Sequence, residues 1–150
     1  MNYKQEFIKQ LNAIVYHQDI REIFYDFLHM SAYAISGKFH AGDEFDWLFS
    51  NAKKVFGKYK ENDLQKFDNC FNIMVQSMEA GYSDFLGEIY MEINISNSNT
   101  GQFFTPYSVS QMMSKIVYSE PILKLLESKP FIKVHEPACG SGGMIIALAE

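Results

Sequence analysis

The stretch Phe131-Ile132-Lys133-Val134-His135-Glu136-Pro137-Ala138-Cys139-Gly140-Ser141-Gly142-Gly143-Met144 decides how the C-terminal part of this chain is read. Its first six residues are short and β-branched and predict a strand over 131–136. A glycine-rich turn follows, and Met144 to Glu150 begins a helix. A strand that feeds such a turn and then a helix aims several backbone N–H groups at one spot. Gly140 and Gly142 let the backbone turn sharply and let a ligand approach with no Cβ in the way. Glu136, at the strand end, can bind an amine or a hydroxyl, and Pro137 stiffens the exit. Together these features suit a cofactor with a charged amino-acid end and an adenosine end. The pattern Gly-Ser-Gly-Gly is a poor match to the dinucleotide fingerprint GxGxxG, and no GxxxxGK[ST] loop is present. Taken alone, the turn fits an unrelated α/β protein equally well.

Upstream, Pro121 with Ile122, Leu125 and Leu126 predicts a short helix that opens at Glu120. Before it, Thr105-Pro106 is a helix start, because threonine can cap and proline suits the first helical position. Val109, Met112, Met113, Ile116 and Val117 mark one apolar face of the helix that follows. Ahead of this lies a polar run, Asn94, Ser96, Asn97, Ser98, Asn99, Thr100 and Gly101. Asn and Ser side chains compete with regular structure through local hydrogen bonds, so a linker is expected there. The expected organisation is a helical domain over 1–100 and a second domain beginning at 101.

Residues 1–100 are helix after helix. Phe7, Ile8, Leu11, Ile14 and Val15 follow the rhythm of one helical face, and Ile20, Ile23, Phe24, Phe27 and Leu28 repeat it. Gly37 and the segment 39–43 break the pattern. A third stripe holds Phe45, Leu48, Phe49, Ala52, Val55, Phe56 and Tyr59. Asn62 or Asp63 can cap a fourth helix carrying Leu64, Phe67, Phe71, Met74, Val75 and Met78, which Gly81 stops. A fifth runs from about Asp84 to Ile93. Apolar faces on consecutive helices must pack together, which predicts a bundle.

Composition narrows the function classes. Hydrophobic residues make up 47% and charged residues 21%, enough for a real core and too apolar for a disordered chain. No apolar run approaches the ~20 residues that a membrane helix needs. The N-terminus has no apolar stretch of the kind a secretory signal carries. Two cysteines, Cys70 and Cys139, form no CxxC pair, and a reducing, cytoplasmic setting fits them. A net charge of −5 does not suit a broad grip on a phosphate backbone, so most DNA contact, if any, is expected elsewhere.

The segment Gly101-Gln102-Phe103-Phe104-Thr105-Pro106 precedes Glu136 by about thirty residues. The pair GQFFTP and HEPACGSGGM resembles the N6-adenine DNA methyltransferase family, and within it the modification (M) subunit of type I restriction–modification systems. There a GQxFTP segment is followed by a helix, a strand and D/E-P-A-C-G-S-G, in the order found here. The motif-bearing resemblance covers about residues 101–150. It implies an α-helical N-terminal bundle followed by the truncated start of an α/β Rossmann-like methyltransferase domain. It also implies transfer of a methyl group from S-adenosylmethionine to adenine in DNA.

Residue by residue, the resemblance implies that Glu136, Pro137, Ala138, Cys139, Gly140, Ser141 and Gly142 form the S-adenosylmethionine loop. Glu136 would hold the amino group of the cofactor, where aspartate is commoner. Phe103, Thr105 and Pro106 would cover the cofactor from the other side, with Thr105 placed to bond its carboxylate. Tyr107 departs from the arginine common after the proline. The N-P-P-[FYW] segment that grips the flipped adenine does not occur in these residues. The expectation is therefore the N-terminal part of a larger enzyme, with no catalytic residue of its own and inactive in isolation. The expected partners are DNA, a specificity subunit that selects the sequence and a restriction subunit, with no membrane.

Plainer readings stand beside these. The four histidines have no cysteine or carboxylate at ligand spacing, so no metal is expected. Cys139 suits the turn by being small, and no partner base marks it as a nucleophile. The aromatic residues of 1–100 recur at helical spacing without interleaved arginine, which favours core over nucleic-acid stacking. The run Lys53, Lys54, Lys58 and Lys60 reads as a solvated face. Two other functions remain open on the residues alone. One is a helical protein–protein interaction module with a non-catalytic methyltransferase remnant. The other is a methyltransferase that acts on protein or RNA.

Overall fold

Five helices form where the apolar spacing places them. The computed structural model describes residues 2–14, 19–94, 103–117, 124 and 127–150. Helices α1 (Tyr3–Ile14), α2 (Ile20–Ser36), α3 (Asp43–Lys58), α4 (Glu61–Ala80) and α5 (Phe85–Asn94) come first. After the polar run come α6 (Tyr107–Val117) and α7 (Gly143–Ala149). The local signals explain most of the boundaries. The Asp19 carboxylate accepts the Arg21 N–H at 2.9 Å and caps α2. Gly42, at φ +62, precedes the acidic first turn of α3, where Asp43, Glu44 and Asp46 face the positive end of the helix. The fourth helix starts earlier than its sequence suggests. The Lys60 carbonyl accepts from Asp63 and Leu64 N–H groups, so Lys60 takes the cap position expected of Asn62 or Asp63.

The chain divides into two compact units, Met1–Ser77 and Met78–Glu150. The division falls within α4, and α5 makes its bonds with segments beyond the polar run, as shown below. In the first unit α1 and α3 both pack on α2. Phe7 meets Phe27 edge-on at 5.0 Å and Phe24 at 6.4 Å; Phe67 stacks near Phe27 and takes the Tyr59 ring edge-on at 4.9 Å. Such aromatic pairs each add about 1 kcal/mol beyond the area they bury. Leu11, Ile23, Leu48, Ala52, Val55 and Met74 are buried as the helical spacing predicts; Cys70, outside the expected fourth stripe, is buried as well, whereas Val75 and Met78 of that stripe are exposed. Burial pushes the Cys70 thiol up to about 12. Phe49 and Phe56 of the third stripe are instead exposed, and so is Trp47.

One polar cluster in this unit lies outside any pattern of spacing. Asp26 is buried on α2, and both its oxygens accept from Lys58 Nζ, at 3.0 and 3.1 Å. Tyr59 Oη donates to the same carboxylate at 2.7 Å. Burial first, and that hydrogen bond second, raise the Tyr59 pKa well above the usual phenol range.

Two expectations for the second unit are corrected. Residues 131–136 do not form a strand, and there is no strand among the described residues. A strand exists through its ladder, and no segment among the described residues offers one; Phe131 and Val134 are exposed. The second correction concerns α6. Its apolar face, Val109, Met112, Met113, Ile116 and Val117, is exposed, whereas Ser110 and Ser114 are buried. α6 packs against α7, whose buried residues are Gly143 and Ala147. Small residues four apart on both helices allow close approach, and the Ser114 hydroxyl donates to the Ala147 carbonyl at 2.7 Å. The short helix expected from Glu120-Pro121 lies outside the described residues.

Candidate cofactor site

The glycine turn leads directly into α7. Gly140 and Gly142 adopt φ +54 and +90, a region that residues with a Cβ enter only at a cost of about 1–2 kcal/mol. The Gly142 N–H closes the turn on the Cys139 carbonyl at 2.8 Å, and the Gly142 carbonyl accepts the Ile146 N–H at 2.9 Å as the helix starts. On the near side of the turn, a Glu136 carboxylate oxygen accepts the Ala138 N–H at 2.9 Å. This bond folds the Glu136 side chain back over Pro137, toward the turn rather than away from it.

The two sequence motifs meet here. A Cβ on Gly140 would lie 3.2 Å from Cδ1 of Phe104, so the ring sits against the turn. Phe104 is held from behind by Tyr90, at 4.9 Å between ring centroids, and by its own N–H, which donates to Met91 Sδ at 3.4 Å. Both partners belong to α5. On the other side, the Pro106 carbonyl accepts the Val109 and Ser110 N–H groups and starts α6, which leaves Thr105 and Phe103 exposed beside the turn.

A cleft of about 340 Å³ opens between these segments. Phe103, Phe104, Thr105, Ser110 and Met113 line it from one motif; Glu136, Ala138, Cys139, Gly140, Ser141, Gly143 and Met144 line it from the other. Of the residues expected from sequence, the structure brings Phe103, Thr105, Glu136, Ala138, Cys139, Gly140 and Ser141 to one cleft. Pro106, Pro137 and Gly142 do not line it; Pro106 and Gly142 shape the helix starts on either side. Sequence reasoning missed Phe104 as a lining residue in its own right, and Ser110, Met113, Gly143 and Met144 altogether. It also missed Asp84, a buried acid whose carboxylate accepts from the Ser141 hydroxyl and from Gly87 N.

Chemically the cleft has an apolar wall of Phe103, Phe104, Met113 and Met144, and polar groups at Thr105, Ser110 and Glu136. The Ser110 hydroxyl is fully enclosed and has no hydrogen-bond partner among the described residues. An enclosed hydroxyl without a partner is uncommon, and it marks a place where a bound group can supply one. Tyr107 stands where an arginine was expected, and its hydroxyl donates to Glu150 at 3.1 Å. Burial, and then that bond, push its pKa up to about 12, so it stays a neutral phenol, and unlike an arginine it brings no positive charge to a carboxylate. Among the described residues, no three His, Cys, Asp or Glu side chains gather as a metal site would require.

Residues 81–150 match the family model described as N-6 DNA Methylase. No curated protein matches the chain, and no solved structure does. The matched segment begins before residue 101, where the sequence motifs start, and so takes in α5. That agrees with the packing: α5 supplies Tyr90 and Met91 behind Phe104, and Asp84, the residue just before α5, lies behind Ser141. Among the described residues no helix is long and apolar enough to cross a membrane.

Proposed function

We propose that this protein builds one side of an S-adenosylmethionine pocket in a DNA adenine-N6 methyltransferase of the type I modification-subunit kind. The observation that carries the reading is the contact between the two motifs. Phe104, from GQFFTP, rests on Gly140, from EPACGSGG, and both line one cleft. The match of residues 81–150 to the N-6 DNA Methylase family model supports it.

The residues present fit the cofactor. A turn held open by two glycines at positive φ leaves room for a ligand at the backbone, and the enclosed Ser110 hydroxyl lacks a partner. Glu136 is the group to hold the ammonium end, with Thr105 donating to the carboxylate end. Phe103 and Phe104 cover the apolar body, and the Ala138–Ser141 backbone lies along it. S-adenosylmethionine, when bound, supplies the methyl group as a sulfonium. The part of these residues is to bind, orient and exclude water, which lowers a barrier by positioning rather than by covalent chemistry. The segment that grips the adenine amine, the DNA-reading specificity subunit and an associated restriction subunit belong to the proposal as partners of this half-pocket. A cytoplasmic location belongs to it too.

The test is transfer of tritium from methyl-labelled S-adenosylmethionine to DNA by the intact protein with its specificity partner. The reading expects label in N6-methyladenine, lost in Gly140→Asp. Label in protein or RNA and none in DNA favours the other acceptor class. No transfer and no cofactor binding, with the specificity subunit still captured, favours the interaction module.

A further inference from the structure

We propose that Asp84 is the positioning residue of the cofactor turn, its buried carboxylate setting the course of Ser141 to Gly143. The inference rests on the reading that the cleft takes S-adenosylmethionine, and it concerns a residue outside both motifs.

Asp84 is 4% exposed. A carboxylate removed from water is costly unless donors surround it. Here the donors come from two different segments. One oxygen accepts the Gly87 N–H at 3.0 Å, in the first turn of α5. The other accepts the Ser141 hydroxyl, in the glycine turn. The packing around it is tight. A Cβ on Gly87 would stand 2.3 Å from the carboxylate, and one on Gly143 would stand 2.8 Å away. Asp84 thus touches the turn at Ser141 and at Gly143, the two neighbours of Gly142, whose φ is +90. Fixing the residues on both sides of a left-handed glycine fixes the path between them, and that path lines the cleft.

Capping α5 alone does not call for an aspartate at this position. Serine caps a helix about as well. What aspartate adds is a second acceptor oxygen with the reach to meet a donor on another segment. Asp84→Ser therefore keeps the cap and removes the tie to the turn. Ser141→Ala removes the same tie from the other end, at a half-buried residue where folding is not at stake.

The experiment uses the intact protein, with two readouts. In the absence of ligand, hydrogen exchange is followed at the amides of Gly140 to Gly143. Asp84→Ser and Ser141→Ala are each expected to speed it about tenfold, the loss of one hydrogen bond to a charged group, while α5 keeps its protection. S-adenosylhomocysteine binding, measured by calorimetry, is expected to weaken about tenfold in each variant, with the double variant no weaker than either single, because both remove one shared bond. A turn that exchanges at the wild-type rate in both variants overturns the assignment of Asp84, whatever the binding result. Single effects on affinity that multiply in the double variant overturn it as well. Wild-type protein that binds no S-adenosylhomocysteine, with the turn loosened in both variants, overturns the cofactor reading instead.

Discussion

Phe104 and Gly140 are in contact: a Cβ placed on Gly140 would lie 3.2 Å from the Phe104 ring. Thirty-odd residues separate the two motifs in sequence, and this contact is where they become one wall. Gly140 also holds φ +54. Gly140→Ala is therefore expected to cost about 1–2 kcal/mol of stability from backbone strain, and to weaken S-adenosylhomocysteine binding by displacing the ring. Gly140→Asp adds a charge to the cleft wall and is expected to abolish binding. Thermal melts paired with titration calorimetry separate the two effects.

The two cysteines are expected to react very differently. Cys139 is exposed and lines the cleft, whereas Cys70 is buried with its thiol pushed up to about 12. The thiolate is the reactive form, so a maleimide at pH 8 should label Cys139 in the folded protein and leave Cys70 until denaturant is added. S-adenosylhomocysteine should slow labelling of Cys139. Equal labelling with and without that ligand counts against Cys139 facing the bound cofactor.

The Asp26 cluster is expected to hold the first unit together. Tyr59→Phe removes a hydrogen bond to a buried carboxylate and should cost roughly 2 kcal/mol. Lys58→Ala should cost less, about 1 kcal/mol, because Lys58 is half exposed and water screens its charge. Urea unfolding of the two variants at neutral pH gives the order; an equal or reversed cost contradicts it.

Acid should erase one helix cap. Hydrogen bonds from the Arg21 side chain, then from its backbone N–H, hold Asp19 down at about 2 against its usual 3.8. A carboxyl depressed by folding contributes stability above its unfolded pKa and loses it as pH falls through its folded one. Asp19→Ala should therefore cost about 1 kcal/mol at neutral pH, the ordinary worth of a cap. The gap between wild type and variant should close as pH falls from about 4 to about 2. Melts of both proteins across that range show the trend, and a gap that does not change with pH contradicts it.

Helices α1 to α5 were legible because each repeats an apolar spacing over at least two turns, and local spacing determines which face is buried. The glycine turn was legible for a similar local reason, since positive φ selects glycine. What was not legible depends on partners distant in the chain. Residues 131–136 have the composition of a strand, but composition cannot supply the neighbour that makes a ladder. The inward face of α6 is carried by Ser110 and Ser114, which hydropathy counts as outward residues. Ser114 is drawn inward by its bond to Ala147, 33 residues away. From its neighbours Asp84 marks only the start of the fifth helix; its bond to Ser141 spans 57 residues.

Photolabelling with methyl-tritiated S-adenosylmethionine tests the central claim most directly, because it reports which residues touch the cofactor. After ultraviolet irradiation of the intact protein, peptides are separated and the label is mapped. The account predicts label in the peptides that carry Phe103 to Thr105 and Glu136 to Met144, competed away by unlabelled S-adenosylhomocysteine and absent in Gly140→Asp. Competable label confined to residues 1–77, or spread without competition over the whole chain, would contradict it.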